Sequence, residues 1–289
     1  MSLKKSIRRH LLEMVTEGMD PSGLPDHKYY AFDWDDNVMN MPTKIMILDD
    51  QDNEIGMSTD DFAEHRNELG KKPFVYNGKT IVGFASNPFR NFRGEGEKQF
   101  LIDVMSASLG PSWDDFVECI NGGSIFSIIT ARGHNPKTLK EGVYNLIMAN
   151  KNGLNSRTLA ENLYRYRNIG NEVTGENKAK ALTPKELREY LDLCRFYPVS
   201  FGEGSATNPE EGKIKAMREF ISYCKEMAQE IGEKAFFKND VENNEILPNI
   251  GFSDDDPRNI DKMKEFLDDE DTEKLVKTYL TKGGEKKEI

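Results

Sequence analysis

Three carboxylates with no basic residue among them, Asp33, Asp35 and Asp36, close the run Tyr29-Tyr30-Ala31-Phe32-Asp33-Trp34-Asp35-Asp36-Asn37-Val38. Setting such a cluster against an apolar, aromatic stretch is costly unless a positive charge joins it. A hard cation such as Mg2+, held by carboxylate oxygens and shared with a phosphate, is the simplest charge to do so. Asp33 and Asp35, spaced i and i+2, reach one reacting centre if the chain turns there, one as nucleophile and the other as proton donor. The same residues also suit a plain acidic turn.

Two further stretches carry comparable chemistry. Ser124-Ile125-Phe126-Ser127-Ile128-Ile129 is a buried-strand run that ends in Thr130-Ala131-Arg132-Gly133-His134, and a helix starting near Pro136 follows at once. That corner suits phosphate: Thr130 offers a hydroxyl, and the turn through Ala131 and Arg132 offers backbone N–H groups. Thr130 as a helix cap is the alternative. Near the end, Ile246-Leu247-Pro248-Asn249-Ile250-Gly251-Phe252 leads into Ser253-Asp254-Asp255-Asp256-Pro257, a second acidic cluster that is also a helix-start signal. Between these, Pro209 to Met217 opens a long helix bearing Lys213 and Lys215.

The elements that must position these groups form an α/β pattern. Continuous apolar runs suit strands of a parallel sheet, where ligands bind beyond the carboxyl ends. An amphipathic helix is predicted over residues 4–18, and a turn at Asp20-Pro21-Ser22-Gly23 precedes the first strand. From Met41 the pattern changes to a strand at Lys44-Ile45-Met46-Ile47-Leu48, a capped helix from Ser58, and a hairpin centred on Asn77-Gly78. Residues 41–122 therefore read as an inserted α+β cap, leaving 1–40 and 123–289 as the core. Within that core, residues 150–194 read as helical decoration with a capped start at Thr183-Pro184, Phe196 to Phe201 as a third strand, and the tail 281–289 as loose.

Composition narrows the function classes. The chain has 289 residues, 37% hydrophobic and 31% charged, which describes a globular protein with a sizeable core. No apolar run exceeds strand length, so no membrane span and no secretory signal are expected. Cys119, Cys194 and Cys224 are too few and too scattered for a disulfide framework or a zinc site, which suggests a reducing, cytoplasmic setting. A net charge of −11 argues against a general nucleic-acid binder and leaves room for a small basic pocket.

Taken in order, the acidic strand end, the Thr strand end, a helix lysine and the second acidic strand end resemble the four motifs of the haloacid dehalogenase (HAD) superfamily in its phosphatase form. Asp33-Trp34-Asp35-Asp36-Asn37-Val38 resembles the first motif, Ile128-Ile129-Thr130-Ala131-Arg132-Gly133 the second, Lys213 the third and Gly251-Phe252-Ser253-Asp254-Asp255 the fourth. Asn37 stands where the family usually has Thr or Val. The matched segments cover residues 26–40 and 123–267.

The resemblance implies a Rossmann-like core and a Mg2+-dependent phosphomonoesterase acting on a small phosphorylated substrate, with nucleic acid not expected as a partner. Asp33 would attack phosphorus, Asp35 would protonate the leaving group and then activate water, and Thr130 and Lys213 would hold the phosphoryl oxygens. Mg2+ would be bound by Asp33, by the backbone carbonyl of Asp35 and by Asp254, with Asp255 in support. Lys215 is the rival of Lys213, and Asp256 that of Asp255. The alternatives are a non-catalytic metal- and phosphate-binding protein on the same fold, or a polynucleotide-end phosphatase.

Overall fold

The computed structural model describes residues 28–170, 182–202, 208–236, 247–270, 272–282 and 285–289. The helix expected over 4–18, the turn at 20–23 and part of the 150–194 segment lie outside these residues.

Five parallel strands form the centre: β1 (Lys28–Phe32), β8 (Ile125–Thr130), β9 (Arg195–Pro198), β10 (Asn249–Asp254) and β11 (Val276–Leu280). A short antiparallel strand, β12 (Lys287–Glu288), completes the order β12-β11-β10-β1-β8-β9. β1 pairs in register with β10 on one side, Phe32 opposite Ser253, and with β8 on the other, Phe32 opposite Ile128. The chain winds outward from β1 through β8 to β9, then returns to lay β10 and β11 on the opposite flank. The winding direction thus reverses between β1 and β10, and in open parallel sheets such a reversal opens a crevice at the strands' carboxyl ends.

Helices cover both faces. Phe126 and Ile128 of β8 pack with α3 (Trp113–Asn121), α4 (Pro136–Met148) and α6 (Pro184–Leu193), through Phe116, Val143 and Tyr190 among others. Ile125 and Ile129, alternating to the other face, pack with Met217 and Phe220 of α7 (Pro209–Phe236) and Ile260 and Met263 of α8 (Pro257–Asp269). Helix starts are set locally: Asn135 caps α4 ahead of Pro136, and Thr183 and Glu186 form a reciprocal capping box on α6. α5 (Ser156–Asn162) and α6 belong to the connection from β8 to β9, so this part of the 150–194 segment lies within the core.

The stretch between β1 and α3 holds a second sheet. It has the order β4-β3-β6-β5, formed by β3 (Ile45–Asp49), β4 (Glu54–Met57), β5 (Phe74–Tyr76) and β6 (Lys79–Phe84). The turn joining β5 to β6 puts Asn77 and Gly78 at φ 49° and 75°, the left-handed pair that a two-residue hairpin demands. A small core of Ile47, Met57, Leu69 and Ile81 holds this sheet, with α1 (Thr59–His65) beside it. Within residues 41–122, then, 45–84 carry a separate interior. By contrast, α2 (Glu97–Ser106) and α3 pack into the main one through Phe100, Val104 and Phe116. A two-stranded pair, β2 (Met39–Asn40) and β7 (Ser108–Leu109), joins the two ends of the insertion.

The tail differs from the expectation. Lys287–Glu288 pairs with β11 opposite Leu280 and Tyr279, and Lys286 reaches Asp115 at 2.7 Å, so the edge of the sheet orders it. β11 itself was not foreseen.

Candidate functional site

β1 delivers Asp33 to the crevice, and the ladder continues one step beyond it, Asp33 N–H donating to the Ser253 carbonyl at 2.9 Å. The chain then closes a tight loop in which Val38 and Met39 donate to the Trp34 carbonyl at 3.1 Å. Asp36 sits at φ 57°, a left-handed conformation that aspartate tolerates better than most residues. Trp34, buried against Phe100 and Phe116, anchors the loop between the two aspartates.

β10 brings Asp254 to the same place, and α7 brings Lys213. Lys213 Nζ lies 2.9 Å from Asp33 Oδ1 and 2.7 Å from Asp254 Oδ2, with all three side chains almost fully buried. Asp254 Oδ1 accepts from Asp256 N at 3.0 Å and Asn259 Nδ2 at 2.9 Å, which fixes its carboxylate. Carboxylate oxygens of Asp33, Asp254 and Asp255 all lie within 4.8 Å of one another.

Packing sets Lys213 and Asp255 apart from their neighbours. Lys213 is buried in the ion-pair cluster, while Lys215, two positions on, is exposed. Asp255 joins the carboxylate cluster, while Asp256 caps α8, its Oδ1 accepting from Arg258 N at 3.0 Å.

The electrostatics follow from burial. Loss of water, with Asp254 and Asp35 nearby, holds the Asp33 carboxyl well above the ordinary carboxylate range, and Lys213 offsets this only in part. Burial and the charges of Asp33 and Asp254 push Asp255 up likewise. Asp36 is raised to about 6, chiefly by burial. Burial alone would depress Lys213, but Asp254 and Asp33 outweigh it and hold the ammonium firmly charged. One lysine thus faces three carboxylates, a deficit of positive charge that a cation would correct.

Oxygen donors alone, without imidazole or thiolate, suit a hard divalent cation of the Mg2+, Ca2+ or Mn2+ kind. Asp33, Asp254 and Asp255 are the residues that fit it. Asp35 does not join them through its side chain, since its carboxylate accepts two hydrogen bonds from Arg132, at 2.8 and 2.6 Å. Thr130 ends β8 beside β1 and is buried, its Oγ1 accepting from Arg132 N at 3.3 Å; Ala131 is exposed at the turn. The Arg132 side chain is 1% exposed and engaged with Asp35. Arg90, in the loop leading out of the inserted sheet, pairs with Glu54.

Nothing in the sequence marks the part that Asn37 plays. It is fully buried, and its Nδ2 donates to the Asp33 carbonyl at 3.0 Å and to Ser253 O and Oγ at 3.1 and 3.0 Å. Its Oδ1 accepts from Ser112 Oγ at 2.8 Å and Thr281 Oγ1 at 2.7 Å. The side chain therefore ties the ends of β1, β10 and β11 to the start of α3. Gly110 belongs to the same knot, because a Cβ there would stand 2.3 Å from the Asn37 carbonyl oxygen.

Beside Asp255 a cleft of about 640 Å3 opens between α1 of the inserted sheet and the start of α8. Asp36, Asp60, Glu64 and Asp256 give it an acidic lining, against the cations Arg258 and Lys282. Arg66, just past α1, spans the two parts at 3.2 Å from Glu210 Oε1 and 3.9 Å from Asp256 Oδ2.

Compared with known proteins, the chain matches no family model, no curated sequence and no solved structure.

Proposed function

We propose that this protein is a phosphomonoester hydrolase of the HAD type, dependent on a hard divalent cation, Mg2+ by analogy with that family. The observation that carries the reading is the meeting of Asp33, Lys213, Asp254 and Asp255 at the carboxyl end of a parallel sheet where its winding reverses. Two acidic segments more than two hundred positions apart converge on one lysine, an arrangement that an ordinary turn or helix cap does not require.

In this reading a carboxylate oxygen of Asp33 attacks phosphorus while the bond to the leaving oxygen breaks, giving an aspartyl-phosphate. Asp35 supplies the proton that the leaving alkoxide takes. Asp35, now a carboxylate, removes a proton from an attacking water, the bond between phosphorus and Asp33 breaks, and its electron pair returns to Asp33. Lys213 holds Asp33 in place and offers N–H to phosphoryl oxygens, while Thr130 and the turn after it line the approach. The cation, when bound, screens the repulsion between carboxylate and phosphate.

The acidic cleft supports a small substrate over a polynucleotide end, since a polyanion gains affinity by neutralising its phosphates with Lys and Arg. No helix of the described residues is long and apolar enough to cross a membrane. All three cysteines are free and buried, which suits a reducing, cytoplasmic setting. Asn37 departs from the Thr or Val usual at its position, and its hydrogen bonds give that departure a structural reason, so it does not favour the non-catalytic alternative.

Phosphate release from p-nitrophenyl phosphate with and without Mg2+ tests the reading. Turnover is expected only with the metal, and Asp33→Asn is expected to abolish it while remaining folded. Activity that survives in Asp33→Asn, or none from the wild type across a panel of phosphoesters, would overturn it.

A further inference from the structure

The role of Asp35 as proton donor, on which this inference rests, leaves open what holds that carboxylate in line. Arg132 Nε donates to Asp35 Oδ2 at 2.8 Å and Nη2 to Oδ1 at 2.6 Å. A guanidinium bound in this two-pronged way fixes the plane of a carboxylate as well as its position, which a lysine cannot do. Each carboxylate oxygen retains a further lone pair, the place a transferable proton occupies.

Arg132 is itself tightly held. Its guanidinium lies 4.7 Å from the Phe92 ring and 5.1 Å from that of Phe100. Nη2 also donates to Thr43 Oγ1 at 3.1 Å, and Thr43 Oγ1 donates onward to Asp103 Oδ2 at 2.9 Å. The locations of these partners matter. Thr43 lies on the strand of chain that leads from β2 into the inserted sheet, and Phe92 on the one that leads back. The return path is pinned to the same turn, Gly133 N–H donating to the Phe92 carbonyl at 2.8 Å. Both connections to the insertion therefore touch Arg132, which grips Asp35.

We propose that Arg132 is a positioning residue that aims Asp35 at the leaving-group oxygen, and that Thr43 and Phe92 set its pose, coupling the seating of the inserted sheet to proton donation.

Leaving-group dependence tests this. An alkoxide needs a proton to depart, whereas 2,4-dinitrophenolate leaves without one. A misaimed donor should slow the alkyl ester selectively, and general acid catalysis is worth roughly 100-fold to 10,000-fold. With Mg2+ present, Arg132→Lys and Arg132→Met are expected to lower kcat/KM, which covers the steps up to the aspartyl-phosphate and leaves out the water attack common to both esters, by about 100-fold on propyl phosphate and by less than about 10-fold on 2,4-dinitrophenyl phosphate. Asp35→Asn is expected to give the same bias. Because removing a buried arginine can compromise folding, Thr43→Val supplies a milder variant of similar shape, expected to show the bias at about 10-fold. Equal losses on both esters, or an unchanged alkyl rate in folded variants, would overturn the role of Arg132 while leaving the hydrolase reading intact. A wild type that turns over neither ester with Mg2+ would overturn both.

Discussion

At the scale of single residues, the chemistry turns on an excess of buried negative charge. Lys213 is the cation holding Asp33 and Asp254 together, so Lys213→Met strands both carboxylates. Breaking a buried ion pair from one side costs about 3–5 kcal/mol. We expect that loss in urea unfolding near pH 8 without metal, and a smaller one near pH 5, where Asp33, already raised by burial, takes up a proton. The same raised carboxyls set the pH response of metal binding. Asp33 and Asp255 keep their protons in the metal-free fold at a pH where the unfolded chain has lost its own. Their contribution to stability is therefore full below the ordinary carboxylate value of about 3.9 and is lost as pH rises through the raised values. A bound cation must displace those protons, so the rise in Tm on adding saturating Mg2+ is expected to grow between about pH 6 and about pH 9. An increment that shrinks with pH would contradict the placement of the metal on Asp33 and Asp255.

At the scale of elements, the site is held by the joints between strand ends, and Asn37 is the principal joint. Asn37→Val deprives Ser112, Ser253 and Thr281 of a partner in a dry interior, at about 1–3 kcal/mol for each buried polar group left unmet. A stability loss of roughly 3 kcal/mol is expected in chemical denaturation, along with weaker metal binding. β1 and β8 were legible because strands covered on both faces need continuous apolar runs, and the β5–β6 hairpin because Asn77-Gly78 has few other uses. β11 was not, since its Lys277 is exposed at a partly covered edge of the sheet and breaks the run. The partners of Asn37 lie 75, 216 and 244 positions away, and a lone Ser or Thr carries no mark of such a contact. The pairing of Arg132 with Asp35 was hidden for the same reason. Lys213 and Lys215 were equivalent as sequence, and only the face of α7 that turns inward separates them.

At the scale of the whole molecule, two interiors of unequal size meet across the acidic cleft. The four-stranded sheet of residues 45–84 rests on four buried apolar side chains, while the main sheet is packed on both faces. Arg66 bridges the two bodies near the carboxylate cluster, and its partly exposed ion pairs are each worth about 0.2–1 kcal/mol. Arg66→Ala should therefore change global stability by less than about 1 kcal/mol. Its expected effect is on docking: faster amide exchange in β3 and β6, and a KM raised several-fold with kcat largely kept. Unaltered exchange together with an unaltered KM would show that this bridge does not hold the insertion over the cleft.

The free thiols are distributed so as to watch each layer of the sandwich separately. Cys119 sits in α3 on one side of the sheet and Cys224 in α7 on the other, and burial makes both poor thiolates, so a disulfide reagent meets them only when their layer opens. Labelling rates followed by mass spectrometry would then clock the breathing of each side independently, and would reveal which side a bound ion quiets.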